Sequence, residues 1–240
     1  MERGISMIVD AFIISWNERD LLPLTIKHYK SFCRSITIFD NYSNDGSDKI
    51  ADQMGCNVVK FGVKGQLNDG HYLEVKNNCW KASDADYVIV CDADEILTGR
   101  AVEPVSEMNP SPSIYKTQGW QVTSNRFPEN DLFEVTDGFP FDNYSKSVMF
   151  SPTRIKEINY RPGAHLCDPI GDVVYSDETL YLLHYRQAGG VERLIRRYKS
   201  YMQRMSMFNR KHGYGIHYRQ REEQIRSNYK RDLLKSKPLG

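Results

Sequence analysis

Tyr87-Val88-Ile89-Val90-Cys91-Asp92-Ala93-Asp94-Glu95 is an apolar run that breaks abruptly into three carboxylates. Its first five residues favour strand or core, and an unbroken run of that kind reads as a strand buried on both faces, as inside a parallel sheet. Asp92 and Asp94 stand two apart, so in a chain still extended there both side chains leave the same face and converge at the strand's C-terminal end. Such a pair repels itself unless a cation lies between. Open α/β sheets bind ligands beyond the carboxyl ends of their strands, where the pair suits a divalent metal holding a phosphate group. The same residues serve equally as a turn with N-cap aspartates, and alone they leave both readings open.

The residues before this stretch repeat a rhythm. Met7 to Trp16 is a first buried strand, and Asn17 caps a helix running to about Phe32, with Glu18 and Asp20 in its first turn and Pro23 near its start. Ser35 to Asp40 is a second strand, ending in the turn formers Asn41 to Ser47. A short helix closed by Gly55, a third strand from Asn57 to Phe61 and a helix from about His71 to Ala82 lead into the opening strand, the fourth. Strands alternating with helices imply right-handed crossovers and a mostly parallel, Rossmann-like sheet flanked by helices. The ends of strands one, two and four all carry polar clusters, and in such a fold they open on one edge, which predicts a nucleotide or phosphate site there.

Beyond Thr98 the rhythm changes. Pro104, Pro110 and Pro112 mark a connection, Ser113 to Ser124 alternates as an antiparallel or edge strand does, and Asn125 to Tyr144 is a loop rich in aromatics. Shorter strands are expected at Ser147 to Phe150 and Thr179 to Tyr185. The last fifty or so residues read as helix, with Leu194, Tyr198, Tyr201, Met205 and Phe208 on one face and Arg193, Arg196, Lys199 and Arg210 largely off it. The organisation expected is one domain: a nucleotide-binding half over 1–97, a mixed-strand acceptor and metal half over 98–186, and C-terminal helices over 187–240.

Charge sharpens this picture. The 240 residues carry 32 Lys and Arg against 31 Asp and Glu, with 40% hydrophobic residues, the balance of a soluble globular protein. No apolar segment reaches the roughly 20 residues needed to cross a bilayer and no signal-peptide pattern opens the chain, so the expected location is the cytoplasm. Five cysteines without CxxC spacing, Cys33, Cys56, Cys79, Cys91 and Cys167, read as reduced thiols. From Arg186 to Lys237 basic residues outnumber acidic ones roughly four to one, whereas the first 140 residues are net acidic. The basic helices are either docked by their apolar stripe or meet an anionic partner, a membrane surface or a phosphate-bearing substrate.

Four motifs in order, Phe12-Ile13-Ile14-Ser15-Trp16-Asn17-Glu18, Phe39-Asp40-Asn41-Tyr42-Ser43-Asn44-Asp45-Gly46-Ser47, Cys91-Asp92-Ala93-Asp94-Glu95 and Leu183-His184-Tyr185-Arg186, resemble those of family 2-like glycosyltransferases of the GT-A fold, over about residues 7 to 205. The resemblance implies that Ile14, Ser15, Asn17 and Glu18 line the base and ribose of a nucleotide and that Asp45 lies at the nucleobase. It implies that Asp92, with Ala93 beside it, bonds the ribose or reaches a metal through water, that Asp94 ligates the metal directly and that His184 completes the coordination. Lys76 is expected to touch base or phosphate. Read alone, His184 in an apolar strand is better explained as a satisfied core histidine, and only its pairing with the Asp-x-Asp motif reverses that. The chemistry agrees with the implied roles: a nucleoside diphosphate leaving group gains charge as the glycosidic bond breaks, and a cation held by carboxylates offsets it. Oxygen ligands suit Mn2+ or Mg2+, and an imidazole favours manganese.

The acceptor side is less marked. The family's Glu-Asp signature is absent, so a base must come from Glu129, Asp131, Glu134, Asp137, Asp168 or Asp172. Asp137 is chosen, because Thr136-Asp137-Gly138 is a tight polar turn among aromatics. The function expected is metal-dependent transfer of a sugar from a UDP-sugar to a saccharide or glycoconjugate acceptor, without nucleic acid. A nucleotidyltransferase acting on a sugar phosphate uses similar metal chemistry but needs a glycine-rich loop where Asn17-Glu18-Arg19-Asp20 stands. A non-catalytic glycan-binding module is the alternative from another class.

Overall fold

The computed structural model describes residues 7–99 and 111–239; the expected connection at Pro104 and Pro110 falls outside them. The first half follows the alternating rhythm: β1 (Val9–Ser15), α1 (Leu22–Lys30), β2 (Ser35–Asp40), α2 (Ser47–Gln53), β3 (Asn57–Lys60), α3 (Asp69–Asn78) and β4 (Tyr87–Asp92). There follow β5 (Glu95–Thr98), β6 (Ile114–Ser124), β7 (Gly138–Pro140), β8 (Met149–Phe150), β9 (Ile155–Glu157), β10 (Ile170–Gly171) and β11 (Tyr175–Ala188), then α4 (Val191–Arg204), α5 (Met207–His212) and α6 (Glu222–Lys235).

The main sheet runs β3-β2-β1-β4-β8-β6-β11-β5, with β7 on β6. β3, β2, β1 and β4 are mutually parallel, with Ile14 beside Asp92 and Ser15 beside Asp40. β8 runs antiparallel to both β4 and β6, β11 parallel to β6, and β5 antiparallel to β11. A Rossmann-like parallel half therefore continues into a mixed half with helices after it, as expected from the sequence.

Burial explains the order. Tyr87 to Cys91 are all buried, and they alternate faces: Ile89 and Cys91 join Ile13, Ile26 and Ile38 under α1, while Val88 and Val90 join Ile14, Phe61 and Trp80 under α3. The exposed β3 alternates weakly and takes the edge. Leu194, Ile195 and Tyr198 of α4 close a third cluster with Ile225 and Tyr229 of α6. All five cysteines are free. No helix among the described residues is long and apolar enough to cross a membrane.

Two local expectations give way. Asn17 does not cap α1, which begins only at Leu22; it takes a left-handed φ of 53° and ties its side chain to Asn44 instead. Asparagine tolerates that conformation, and the pairing welds the end of β1 to the turn after β2. The chain also turns at Ala93 and Asp94 rather than staying extended, and Glu95 then opens a buried strand.

Candidate active site

A cleft with about 1000 Å3 of free space, its open mouth included, lies at the carboxyl ends of β1 and β4. Ile14, Ser15, Trp16 and Glu18 from the end of β1, Lys76 from α3 and Asp92, Ala93 and Asp94 from the turn after β4 all line it, and His184 joins them from β11. The pairing of His184 with Glu95 across β11 and β5 brings the histidine to the acidic turn, and the Tyr185 amide donates to the Asp94 carbonyl. Three expected residues lie outside this lining. Asn17 and Asp45 brace the strand-end turns, Asp45 accepting from the Arg19 and Ser47 amides at 3.0 and 2.9 Å. Asp137, chosen as the acceptor base, stands away from the cleft beside β6, where its carbonyl accepts from the Thr123 amide. The polar turn that suggested it serves the join of β7 to β6, since Gly138 packs where a Cβ would lie 2.3 Å from the Gln121 carbonyl oxygen.

The two aspartates have different company. Asp92 Oδ1 is 2.7 Å from Lys76 Nζ, and its Oδ2 is 3.8 Å from Lys146 Nζ. Burial raises its pKa and the two ammonium groups outweigh that, so the net shift is down. Asp94 Oδ2 accepts from Arg197 at 2.9 Å, and its Oδ1 is 3.8 Å from His184 Nε2. Burial again raises, and His184, Arg197, Arg186 and Lys146 together carry the carboxyl well below its ordinary range. His184 itself is pushed down to about 3, by burial first and by Arg186, Lys146 and Arg197 against the pull of Asp94, so its ring is neutral at pH 7.

Sequence reasoning missed much of what surrounds this pair. Glu95 is fully buried, ion-paired to Lys146, and accepts from the Asp92 amide at 3.0 Å; burial raises its pKa. Glu18 meets Arg197 at 2.5 Å and Arg193 at 3.7 Å, and burial followed by the nearby Asp94 charge lifts it to about 7 despite them. Arg204 lies 3.4 Å above the Trp16 ring and bonds Asn41. Arg197 of α4 thus lines the cleft with Arg193 and Arg204 on the same helix face, while Lys199 pairs with Glu222 on the outside. A signal was present: Arg193, Arg197 and Arg204 fall at i, i+4 and i+11, one helix face.

Tyr144 stacks on His184 with ring centroids 4.1 Å apart and planes 17° from parallel. Its segment reaches so far in because β6 carries glycine at 119, where a Cβ would meet Tyr144 C at 2.4 Å and Phe141 O at 2.5 Å. That approach also seats Lys146 beneath the acidic turn. His165 and His217 complete the wall; burial first, then neighbouring cations, lowers each to about 4.

Among the described residues no group of three or more His, Cys, Asp or Glu converges as a metal cage. Asp94 Oδ1 and His184 Nε2 nevertheless lie 3.8 Å apart, and the tautomer with its proton on Nδ1, which is buried without a partner, would offer Nε2 as a second lone-pair donor. An ion that takes its remaining ligands from water and a diphosphate needs no third side chain, so the donor set suits Mn2+ or Mg2+.

No protein-family model matches the chain, and no curated protein does. Among solved structures it is similar to mannosyl-3-phosphoglycerate synthase from Rubrobacter xylanophilus, with 19% identity over 49% of this chain and 41% of that one and a TM-score of 0.31. It is similar to glucosyl-3-phosphoglycerate synthase from Mycobacterium tuberculosis in complex with Mn2+, uridine diphosphate and glucosyl-3-phosphoglycerate, with 15% identity over 48% and 44% and a TM-score of 0.33. For S. aureus TarS the identity is 11% over 93% of this chain and 43% of that one, with a TM-score of 0.48. The chain spans less than half the length of each of these three proteins. No activity follows from likeness at this level.

Proposed function

We propose that the chain is a GT-A-like glycosyltransferase that moves a sugar from a UDP-sugar to a saccharide or glycoconjugate acceptor. The observation that carries this reading is the Asp92-Ala93-Asp94 turn at the carboxyl ends of β1 and β4, with His184 Nε2 3.8 Å from Asp94 Oδ1. That edge of a parallel sheet is where a nucleotide binds. Ile14 to Trp16 form a wall for base and ribose, and the Asp92 carboxylate, held by Lys76, is aimed to accept from a ribose hydroxyl. Asp94 and His184 would hold a divalent cation, which when bound supplies positive charge to the departing diphosphate.

The chain's own cations serve the same end. Lys76, Lys146 and Arg197 are fixed around the turn by Asp92, Glu95 and Glu18, so they meet developing charge on the leaving group without first reorganising. The half-enclosed cleft keeps bulk water from competing for the glycosyl group, and the Tyr144 face offers the stacking surface that sugar rings favour.

Calorimetry tests the reading. UDP should bind tightly only with Mn2+ or Mg2+ present, and UDP-sugars should be consumed in a metal-dependent way. Equal affinity for UDP and for uridine, with or without metal, would sink it. Uptake of oligosaccharide with no nucleotide would point instead to a glycan-binding module.

A further inference from the structure

Among the described cations that line the cleft, all but one are ion-paired. Lys76 takes Asp92, Lys146 takes Glu95 and Asp92, and Arg197 takes Glu18 and Asp94. Asp69 is held by Asn209 at 2.9 Å. Arg186 also lines the cleft, yet among the described residues it makes no ion pair. Its Nε is buried without a hydrogen-bond partner, one terminal nitrogen lies 3.5 Å from His217 Nε2, and the other donates to the Tyr218 hydroxyl at 3.3 Å. The Tyr218 ring centroid is 5.6 Å from the guanidinium carbon. A guanidinium drawn partly out of water with only two long, neutral contacts is under-satisfied, and its planar fork matches a carboxylate or phosphate.

Position says which substrate would bring that anion. The wall proposed for base and ribose comes from the end of β1, whereas Arg186 stands on β11, two residues past the proposed metal donor His184 and in contact with His217 and Tyr218. Tyr144 and His165, with ring centroids 6.1 Å apart, and His217 line the same cleft and offer ring faces on which a sugar can stack. We infer that Arg186, with Tyr218 and His217 beside it, is an anion subsite for the acceptor, so that the acceptor of the proposed transfer bears a carboxylate or phosphate group. The inference rests on the glycosyltransferase reading for the word acceptor and on Arg186 for the charge.

The test is calorimetric titration of protein saturated with UDP and Mn2+, using glucose 6-phosphate, glucuronate and glucose as probes. At least one anionic sugar should bind about tenfold or more tightly than glucose, and Arg186→Gln should erase that preference while leaving UDP affinity within about twofold. Arg186→Lys, which keeps the charge and loses the fork, should restore part of it. Equal binding of all three sugars would overturn the inference, as would an unchanged preference in Arg186→Gln. Loss of UDP affinity in that variant would also overturn it, by assigning the guanidinium to the donor's diphosphate. Inorganic phosphate titrated without nucleotide keeps the two proposals apart: Arg186-dependent phosphate binding in a protein that takes no UDP leaves the anion subsite standing and removes the transferase reading.

Discussion

The two halves of the molecule bring opposite charges to one place. Glu18, Asp92, Asp94 and Glu95 come from the parallel half and the start of β5, whereas Lys146, Arg186, Arg193 and Arg197 come from the loop before β8, from β11 and from α4; Lys76 alone crosses that division. Within the early half each carboxylate sits at a strand end whose address is set by local pattern. Within the later half the cations arrive from three separate places, the segment before β8, β11 and α4, so their positions depend on tertiary packing. The comparison teaches that the acidic motif is only half of the site: what its carboxylates do is decided by which distant cation reaches each of them.

Breaking the acidic half should cost most. Asp94→Asn removes a proposed metal donor, and transfer should fall about a thousandfold or more with metal-dependent UDP binding lost, measured by turnover and calorimetry. Retained metal-dependent binding would show that Asp92 alone suffices. Removing a cation tests the other side. Lys146→Met leaves the fully buried Glu95 without its ion-pair partner, and urea unfolding should show a loss of about 4 kcal/mol, partly recovered by adding Glu95→Gln.

Glu18 offers a comparison by pH. Its folded pKa of about 7 stands above the ordinary 4.5, by burial first and then the Asp94 charge, with Arg197 and Arg193 facing it as well. The folded state then holds the proton more firmly than the unfolded one between those values. Glu18's contribution therefore makes stability fall as pH rises from 4.5 to 7, by about 3 kcal/mol, and level off above. Glu18→Gln should flatten that part of the stability profile; an unchanged slope would mean the carboxylate is ionised throughout. Two smaller effects complete the series. Tyr144→Leu removes the stack on His184 and should weaken Mn2+ affinity by a few-fold, read by titration. Asp137→Asn, outside the cleft, should change turnover by less than about twofold.

What was legible in the sequence divides along the same line. β1, β2 and β4 and the polar edge they share were readable because continuous apolar runs and turn-forming clusters are local signals, and Asp92, Asp94, Lys76 and His184 do meet in one cleft. Glu95 was not, since a four-residue strand that opens on a carboxylate looks like the end of a turn, and its burial depends on Lys146 and β11. Asp137 lies outside the cleft lining, because a polar turn among aromatics serves β7 as well as it would a substrate. The basic excess of the C-terminal segment was visible as composition, but its destination was not: only the shared face of Arg193, Arg197 and Arg204 pointed inward, toward Glu18, Asp94 and Asn41.

The separation of these partners along the chain also bears on how the protein is made. Asp94 and Arg197 are 103 residues apart, and Glu95 and Lys146 are 51 apart. At a ribosome's pace of roughly 5–20 residues per second, the acidic turn waits on the order of 5–20 s for Arg197 to be synthesised. Local strands and helices of the parallel half form long before that, since loop closure over such distances is the slow entropic step. Asp94 lacks Arg197 throughout that interval, whereas Glu95 gains Lys146 after about half of it, and β5 waits for β11 to be synthesised. The α4 wall of the cleft therefore comes last in synthesis, and until then the carboxyl ends of β1 and β4 lack Arg197.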